Sequence, residues 1–377
     1  LKLFIGEPGE TYEGGIHELS LGGANLIFLT LKLLEYKYQK SKETFANFLL
    51  IEEPEAHIHT HIQKTLFDKL DYGDTQIIYS THSTHISDVS NVENINILAK
   101  KRNFAEVYQP SDGLGKDNLT EIQRYLDAVR SNLLFAKGVI LVEGDAEEIL
   151  IPLMVKKVFG ISLDEIGISL INIRSTGFEN VAQLFHDQRI RRKCSIITDL
   201  DTKITDTEIK DGDTTAVKAY KKKVQNSHDA GVARKERIDK FTASNEWLKP
   251  FYAKYTFEVD FVKDGNDWEV EKLIKKIYKD PKTIEKAEED LKSKDVAKYG
   301  KRVLTMAKQE GKGWFAILLG EHIFYRTYIS DYILDAIIFA VSEFTPNLIV
   351  NIIKYRIGLI QKDKKDIDFS ILNKLLI

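Results

Sequence analysis

Between residues 24 and 38 the apolar positions recur at helical spacing, with Leu26, Leu29 and Leu33 on one face and Ile27, Leu31 and Leu34 widening it. The short apolar run Phe48-Leu49-Leu50-Ile51 ends in acids and reads as a buried parallel strand. A helix follows, with Ile58, Ile62, Leu66 and Leu70 at i, i+4 steps, and then strands at residues 77–79 and 95–98. A Gly-, Asp- and Ser-rich stretch at 110–117 closes this part. From Thr120 a helical face carries Ile122, Leu126, Val129 and Leu133. The rhythm then becomes strand, helix, strand, helix, strand over 139–142, 146–159, 168–173, 178–186 and 195–198, which predicts crossover connections and a parallel sheet. Residues 202–249 are polar and charged, 255–261 alternate like a strand, 268–303 read as a charged helical region, and the chain from Phe324 is apolar and helical.

Composition narrows this picture. A length of 377 residues exceeds one ordinary domain. The expected division is residues 1–110, a linker and helix at 111–135, a second α/β domain at 136–322 with a helical insertion at about 203–250, and a helical segment at 323–377. No run reaches the roughly 18 apolar residues of a membrane helix; the most apolar stretch, 329–350, is broken by Asp331, Asp335 and Glu343. The single cysteine, Cys194, lies in an apolar strand and excludes a disulfide framework or a zinc ribbon, in keeping with a reducing, cytoplasmic setting. The chain opens on Leu1 rather than methionine and shows no signal peptide, so a piece of a longer protein is expected.

Net charge is −3, so the chain as a whole is no polycation. The distribution is uneven. Residues 218–240 hold Lys218, Lys221, Lys222, Lys223, Arg234, Lys235, Arg237 and Lys240 against three acids, and Arg189, Arg191, Arg192 and Lys193 make a shorter basic run. Runs of this kind are either solvated surface or contacts for a phosphate backbone.

Candidate chemistry concentrates at strand ends. The strand at 139–142 empties into Glu143-Gly144-Asp145, and the strand at 195–198 into Asp199-Leu200-Asp201. In extended chain Asp199 and Asp201 point to one side, and with the two strands adjacent Glu143 faces them. Three carboxylates so placed repel one another unless a divalent cation intervenes, which points to Mg2+ or Mn2+ on hard oxygen ligands. In the first part, the strand at 48–51 delivers Glu52 and Glu53 to its C-terminal edge, where α/β folds bind ligands. Ser20 with Gly22 and Gly23 opens a helix, a place where backbone N–H groups hold a phosphate or where the serine simply caps the helix. His82 follows the strand at 77–79; His57 and His61, at i, i+4 without an evident third ligand, read as polar surface.

These motifs resemble two known families in series. Leu19-Ser20-Leu21-Gly22-Gly23, Phe48-Leu49-Leu50-Ile51-Glu52-Glu53-Pro54-Glu55 and Tyr79-Ser80-Thr81-His82-Ser83 are similar, in this order, to the signature, Walker B and switch-histidine segments of ABC-type ATPases. The resemblance implies that Ser20, Gly22 and Gly23 contact the γ-phosphate of ATP held by an opposite subunit. It also implies that Glu52 binds magnesium, Glu53 polarises the attacking water and His82 senses the γ-phosphate. A homodimer or higher homo-oligomer through the ATPase domains follows from the same resemblance. Glu52 departs from the more usual Asp. No Gly-x-x-x-x-Gly-Lys-Ser/Thr occurs, so the Walker A loop of ATP binding is not in this sequence, and Gly6-Glu7-Pro8-Gly9-Glu10-Thr11 is only a turn.

The strand ending in Glu143, the strand ending in Asp199-Leu200-Asp201 and the intervening Ile171-Asn172-Ile173-Arg174-Ser175-Thr176-Gly177 together resemble a Toprim domain. An ABC half followed directly by Toprim is similar to the overcoming-lysogenization-defect (OLD) nucleases, including the Gabija-type ATPase–nuclease subunit of phage defence. That resemblance adds Glu147, and Glu258 on an expected late strand, to Glu143, Asp199 and Asp201 as ligands of two ions. One ion would take Glu143, Glu147 and Asp199 and the other lie nearer Asp201 and Glu258, with the division left open. It also implies that Lys312, in Gly311-Lys312-Gly313-Trp314, stabilises charge at the scissile phosphate. The implied fold is α/β, the C-terminal half of an ABC-type ATPase followed by a Rossmann-like Toprim domain with C-terminal helices. The implied activity is a metal-dependent DNA endonuclease coupled to an ATPase, in anti-phage defence beside a partner protein of the defence system. Arg191, Arg192, Lys193, Lys221, Lys222 and Lys223 would hold the DNA backbone. A Toprim topoisomerase and a non-catalytic, ATP-gated DNA clamp are the alternatives; a primase needs a zinc element that one cysteine cannot build.

Overall fold

The structure, a computed structural model, describes residues 4–5, 14–15, 19–39, 46–68, 75–101, 103–126, 130–174 and 177–363. The turn expected at residues 6–11, together with Leu70, Val129, Ser175 and Thr176, lies outside the described residues. The chain divides into two compact units: Leu1–Ile97 with Leu114–Phe135, and Leu98–Gly113 with Ala136–Ile377.

In the first unit β1 (Phe4–Ile5) pairs antiparallel with β2 (Gly14–Gly15). Then follow α1 (Leu21–Gln39), β3 (Asn47–Glu52), α2 (Thr60–Asp68), β4 (Thr75–Ser80) and α3 (Thr84–Val89). β3 and β4 run parallel, with Glu52 opposite Ser80. The expected burial of β3 does not hold: Phe48 is 57% and Leu50 73% exposed. Its residues alternate between half-buried and exposed, so one face of the strand is left open. β5 (Ile97–Lys101) begins at the boundary of the two units and pairs with β6 (Phe104–Tyr108). α4 (Lys116–Tyr125) belongs to the first unit and buries Leu119 and Ile122.

The second unit is built on four parallel strands, β7 (Gly138–Val142), β8 (Ile168–Asn172), β9 (Cys194–Asp199) and β10 (Leu248–Ala253), in the order β10-β9-β7-β8. Every residue of β7 is buried, as expected of a strand covered on both faces. Ile140, Val142, Ile197 and Phe251 join one core with α5 (Asp145–Phe159), while alternation turns Val139, Leu141 and Ile196 to the opposite face. The short α6 (Glu179–Ala182) follows β8, and α7 (Thr215–Thr242) is the helical insertion before β10.

Beyond β10 the expected strand over 255–261 is instead α8 (Phe257–Lys263). Phe257 to Val262 are all buried, and a short helix enclosed on every side carries apolar residues at alternate positions just as a strand does. The strand itself lies earlier, as β10, beginning in the last two residues of the stretch read as polar and running beyond it. The rest is helical: α9 (Asp267–Ile277), α10 (Pro281–Lys292), α11 (Val296–Glu310), α12 (Lys312–Gly320), α13 (Asp331–Ala340) and α14 (Pro346–Asp363). α13 lies directly on the sheet. A Cβ at Gly138 would meet the Ala340 carbonyl oxygen at 1.9 Å, and the Ser195 hydroxyl donates to the Ala336 carbonyl at 2.6 Å. Ile333, Ile337, Leu348 and Ile352 are buried, so both C-terminal helices form core. No helix among the described residues is long and apolar enough to cross a membrane.

Candidate metal centre

The first strand of the sheet, β7, has β8 on one side and β9 on the other, so the chain reverses direction of travel across the sheet between β7 and β9. The crevice at the C-terminal ends of such a strand pair is where α/β folds place ligands. Glu143 follows β7 directly, Asp199 ends β9, and Glu147 sits in the first turn of α5. Glu258 comes from the first turn of α8 and Lys312 is the first residue of α12.

Asp199 is the centre of the group. Enclosure by protein drives its carboxyl well above the usual range, with further upward push from Glu147, Glu258, Glu143 and Asp201. Burial likewise pushes Glu147 up to about 7, with Glu258 adding to it, while a backbone hydrogen bond and Lys312 pull it back and Glu143 raises it. Lys312 shows the opposite balance. Although its side chain is largely exposed, partial desolvation of the ammonium works against its charge, but Glu258, Asp199 and Glu147 outweigh this and hold it protonated above its ordinary value. Its Nζ lies 3.3 Å from Glu258 Oε1, an ion pair without hydrogen-bond geometry. Glu258 is 2% exposed and neither carboxylate oxygen has a hydrogen-bond partner among the described residues.

Asp201 is not placed by strand alternation. It lies beyond the end of β9 in the left-handed region, φ +50°, a conformation aspartate tolerates better than most residues. Its loop is held by the Leu200 and Asp201 amides donating to the carbonyls of Ala253 and Tyr255 at 2.9 and 3.1 Å. Its partner is Arg234, whose Nη2 donates to Asp201 Oδ2 at 2.9 Å and to the Asp199 carbonyl at 2.5 Å, while Nη1 stands 3.6 Å from Glu143 Oε1. The Thr198 hydroxyl donates to Glu143 Oε2 at 2.8 Å. No three His, Cys, Asp or Glu side chains among the described residues are set to hold an ion together. The chemistry of the site nevertheless fits a hard divalent cation: five carboxylates face two basic side chains, and the orphaned oxygens of Glu258 are the donors such an ion takes.

Arg234 is the residue sequence reasoning assigns wrongly, to the basic run that holds DNA. Its signal is the 3-4-4 spacing of Gly231, Arg234, Ile238 and Thr242, the buried positions of α7. Asn172 is a second addition, its amide donating to Asp145 at 3.0 Å and to Glu148 at 2.8 Å.

The basic residues expected on DNA divide in two. Arg191 pairs with Glu106 at 2.8 Å and lies over the Tyr108 ring, and Arg192 donates to the Ala136 carbonyl and shares that ring. Lys193 donates to the Glu246 carbonyl at 2.8 Å and caps Trp247. Lys221 bridges the Glu208 carbonyl and Asp213, both at 2.7 Å. These four hold the fold together. Lys222 and Lys223 are exposed on α7.

In the first unit, Glu52 ends β3, and Glu53, at φ +41°, and His82 follow the two parallel strands. Glu53 Oε1 and His82 Nε2 are 3.6 Å apart and exposed. The neighbouring Glu55 carboxylate accepts from the Thr81 hydroxyl and the His82 amide, both at 2.8 Å, and fixes the loop. Ser20 accepts from the Gly23 amide at 3.2 Å, as a helix cap does. Gly22 is a packing residue, since a Cβ there would meet the His57 carbonyl at 2.2 Å.

Residues 134–201 match the family model described as overcoming lysogenization defect protein-like, TOPRIM domain, and residues 5–87 match that of the AAA ATPase domain. Among solved structures, the C-terminal region of the Burkholderia pseudomallei OLD protein is 24% identical over 55% of this chain and 97% of that one, with a TM-score of 0.42. The C-terminal region of the Xanthomonas campestris pv. campestris OLD protein is 18% identical over 60% of this chain and 99% of that one, with a TM-score of 0.38. No curated protein matches. The fold and the two domain matches define an ATPase–Toprim protein. Its Toprim segment is similar to that of OLD-like proteins and follows a segment similar to an AAA ATPase domain.

Proposed function

We propose that the chain is a divalent-metal-dependent DNA endonuclease whose phosphodiester hydrolysis is coupled to its ATPase segment. The observation that carries this is the Asp199-centred cluster, with Glu143, Glu147, Asp201 and Glu258 around it and Lys312 at its edge. Mg2+ or Mn2+ held there would supply Lewis-acid chemistry, a lowered water pKa and an offset to phosphate charge. Glu143, Glu147, Asp199, Asp201 and Glu258 would hold the ions. The chain's own groups do the rest. Lys312, kept protonated by its acidic neighbours, neutralises negative charge building on the scissile phosphate. Thr198 and Arg234 fix the direction of Glu143 and Asp201. Lys222 and Lys223, exposed on α7, hold the DNA backbone without reading bases.

Glu52, Glu53 and His82 are the proposed nucleotide-facing groups of the ATPase segment, with association of two chains bringing Ser20, Gly22 and Gly23 to a partner's ATP. A role in anti-phage defence, with a partner protein, belongs to the same reading. The test incubates supercoiled and linear DNA with Mg2+ or Mn2+, using the natural chain and Glu143→Ala. Nicking that requires the metal and is lost in the variant is the expected result. Relaxation without net breaks would make it a topoisomerase, and no reaction in either metal would leave a DNA-binding clamp.

A further inference from the structure

The five carboxylates do not share one environment. Both oxygens of Glu143 are engaged, by the Thr198 hydroxyl at 2.8 Å and by Arg234 at 3.6 Å, and Asp201 takes the other arm of Arg234 at 2.9 Å. Among the described residues Glu258 has no hydrogen bond at either oxygen and only Lys312 within ion-pair distance. Glu147 and Asp199 share the field of Glu258 and, with it, that of the same Lys312. One half of the cluster therefore has a positive charge built into the fold, and the other half has a lysine whose side chain is 60% exposed.

Arg234 is no surface arginine. It is 7% exposed, and its helix is seated so closely that a Cβ at Gly231 would stand 2.3 Å from the Leu200 carbonyl oxygen. Ile238 and Thr242 are buried further along the same face. The hydrogen bond to the Asp199 carbonyl fixes the guanidinium against the backbone of the very loop that carries the acids. A guanidinium keeps its charge at every physiological pH and presents a rigid fork. The close seating of α7 leaves it little room to withdraw.

We propose that Arg234 is a positioning residue that serves as the resident cation of the Glu143–Asp201 pair. A divalent ion is then taken first, and more tightly, on the Glu258 side of the cluster than by Glu143 and Asp201. The inference rests on the metal-dependent reading above and changes its division of ligands, since Glu143 and Asp201 become the weaker half together.

Mn2+ binding to the intact chain, followed by paramagnetic resonance of the free ion, tests it without reference to activity. The natural chain should take one ion at least about tenfold more tightly than a second. Arg234→Met should bring the second ion to within about threefold of the first, and Arg234→Lys should restore the inequality by returning the charge. A purely structural arginine would lower both affinities together in the Met variant, and that result overturns the proposal. Should Arg234→Met fail to fold, the pair Glu258→Gln and Glu143→Gln decides. The first should abolish the tight ion and the second should leave it; equal loss in both overturns the proposal while leaving the nuclease reading intact. No Mn2+ binding by the natural chain overturns both.

Discussion

Glu147 gives the clearest consequence at the scale of single residues. Its carboxyl, ordinarily near 4.5, is pushed up to about 7 by burial first and by Glu258 next. A group raised in the folded chain keeps its full stabilising difference below its unfolded value and loses it as pH rises through the folded one. The metal-free protein should therefore lose stability between about pH 4.5 and pH 7, by about 1–3 kcal/mol from this group. Melting temperatures across that window should fall more steeply for the natural chain than for Glu147→Gln, and equal slopes would contradict the assignment. Gly231→Val is expected to cost about 1–3 kcal/mol, because its side chain overlaps the Leu200 carbonyl and α7 must shift; an unchanged denaturation midpoint would show that α7 is not seated there. Residue by residue, the acids were legible in the sequence to very different degrees. Glu143 and Asp199 each close an apolar strand, where a carboxylate adds nothing to packing and so stands out as chemistry. Arg234 hides among eight cations of one run, and only the 3-4-4 spacing of its helix separates it from them.

Elements explain where alternation misleads. β7 and β9 announce themselves as unbroken apolar runs because the sheet is covered on both faces. β10 and α8 do not: β10 begins among charged residues, and α8 is buried on every side, so its apolar residues also fall two apart. Charge runs mislead in the same manner. Arg192 and Lys222 look alike in sequence, yet Arg192 donates to the Ala136 carbonyl beside Tyr108 while Lys222 is exposed. Arg192→Ala should lower the melting temperature, whereas Lys222→Ala with Lys223→Ala should leave it within about 1 °C, since surface substitutions change stability little. The lysine pair should instead weaken DNA binding evenly across sequences and flatten its salt dependence, as read from binding isotherms at several salt concentrations. Salt-independent loss confined to one sequence would contradict a backbone contact.

For the whole molecule, the C-terminal helices are structural members of the Toprim unit. The Tyr355 hydroxyl accepts from the Ile329 amide at 2.5 Å and its ring meets Phe159 edge-on, while Leu348 and Ile352 are buried with it. A chain ended at Thr345 should melt several degrees lower, by the loss of at least two buried aliphatic side chains worth about 1.5–3 kcal/mol each. Calorimetry showing no shift would mean that α14 is dispensable to the core.

The boundary between the units has a practical consequence for anyone who would dissect the protein. Leu98–Gly113 belongs with the Toprim unit, but the chain goes back through Leu114–Phe135 before that unit resumes at Ala136. Glu106 and Tyr108, which hold Arg191 and Arg192, are thus encoded upstream of a segment that serves the other unit. A gene shortened to begin at Ala136 would express a Toprim unit stripped of those partners. The two halves are threaded through one another in the order of translation, and no single cut of the polypeptide yields either of them whole.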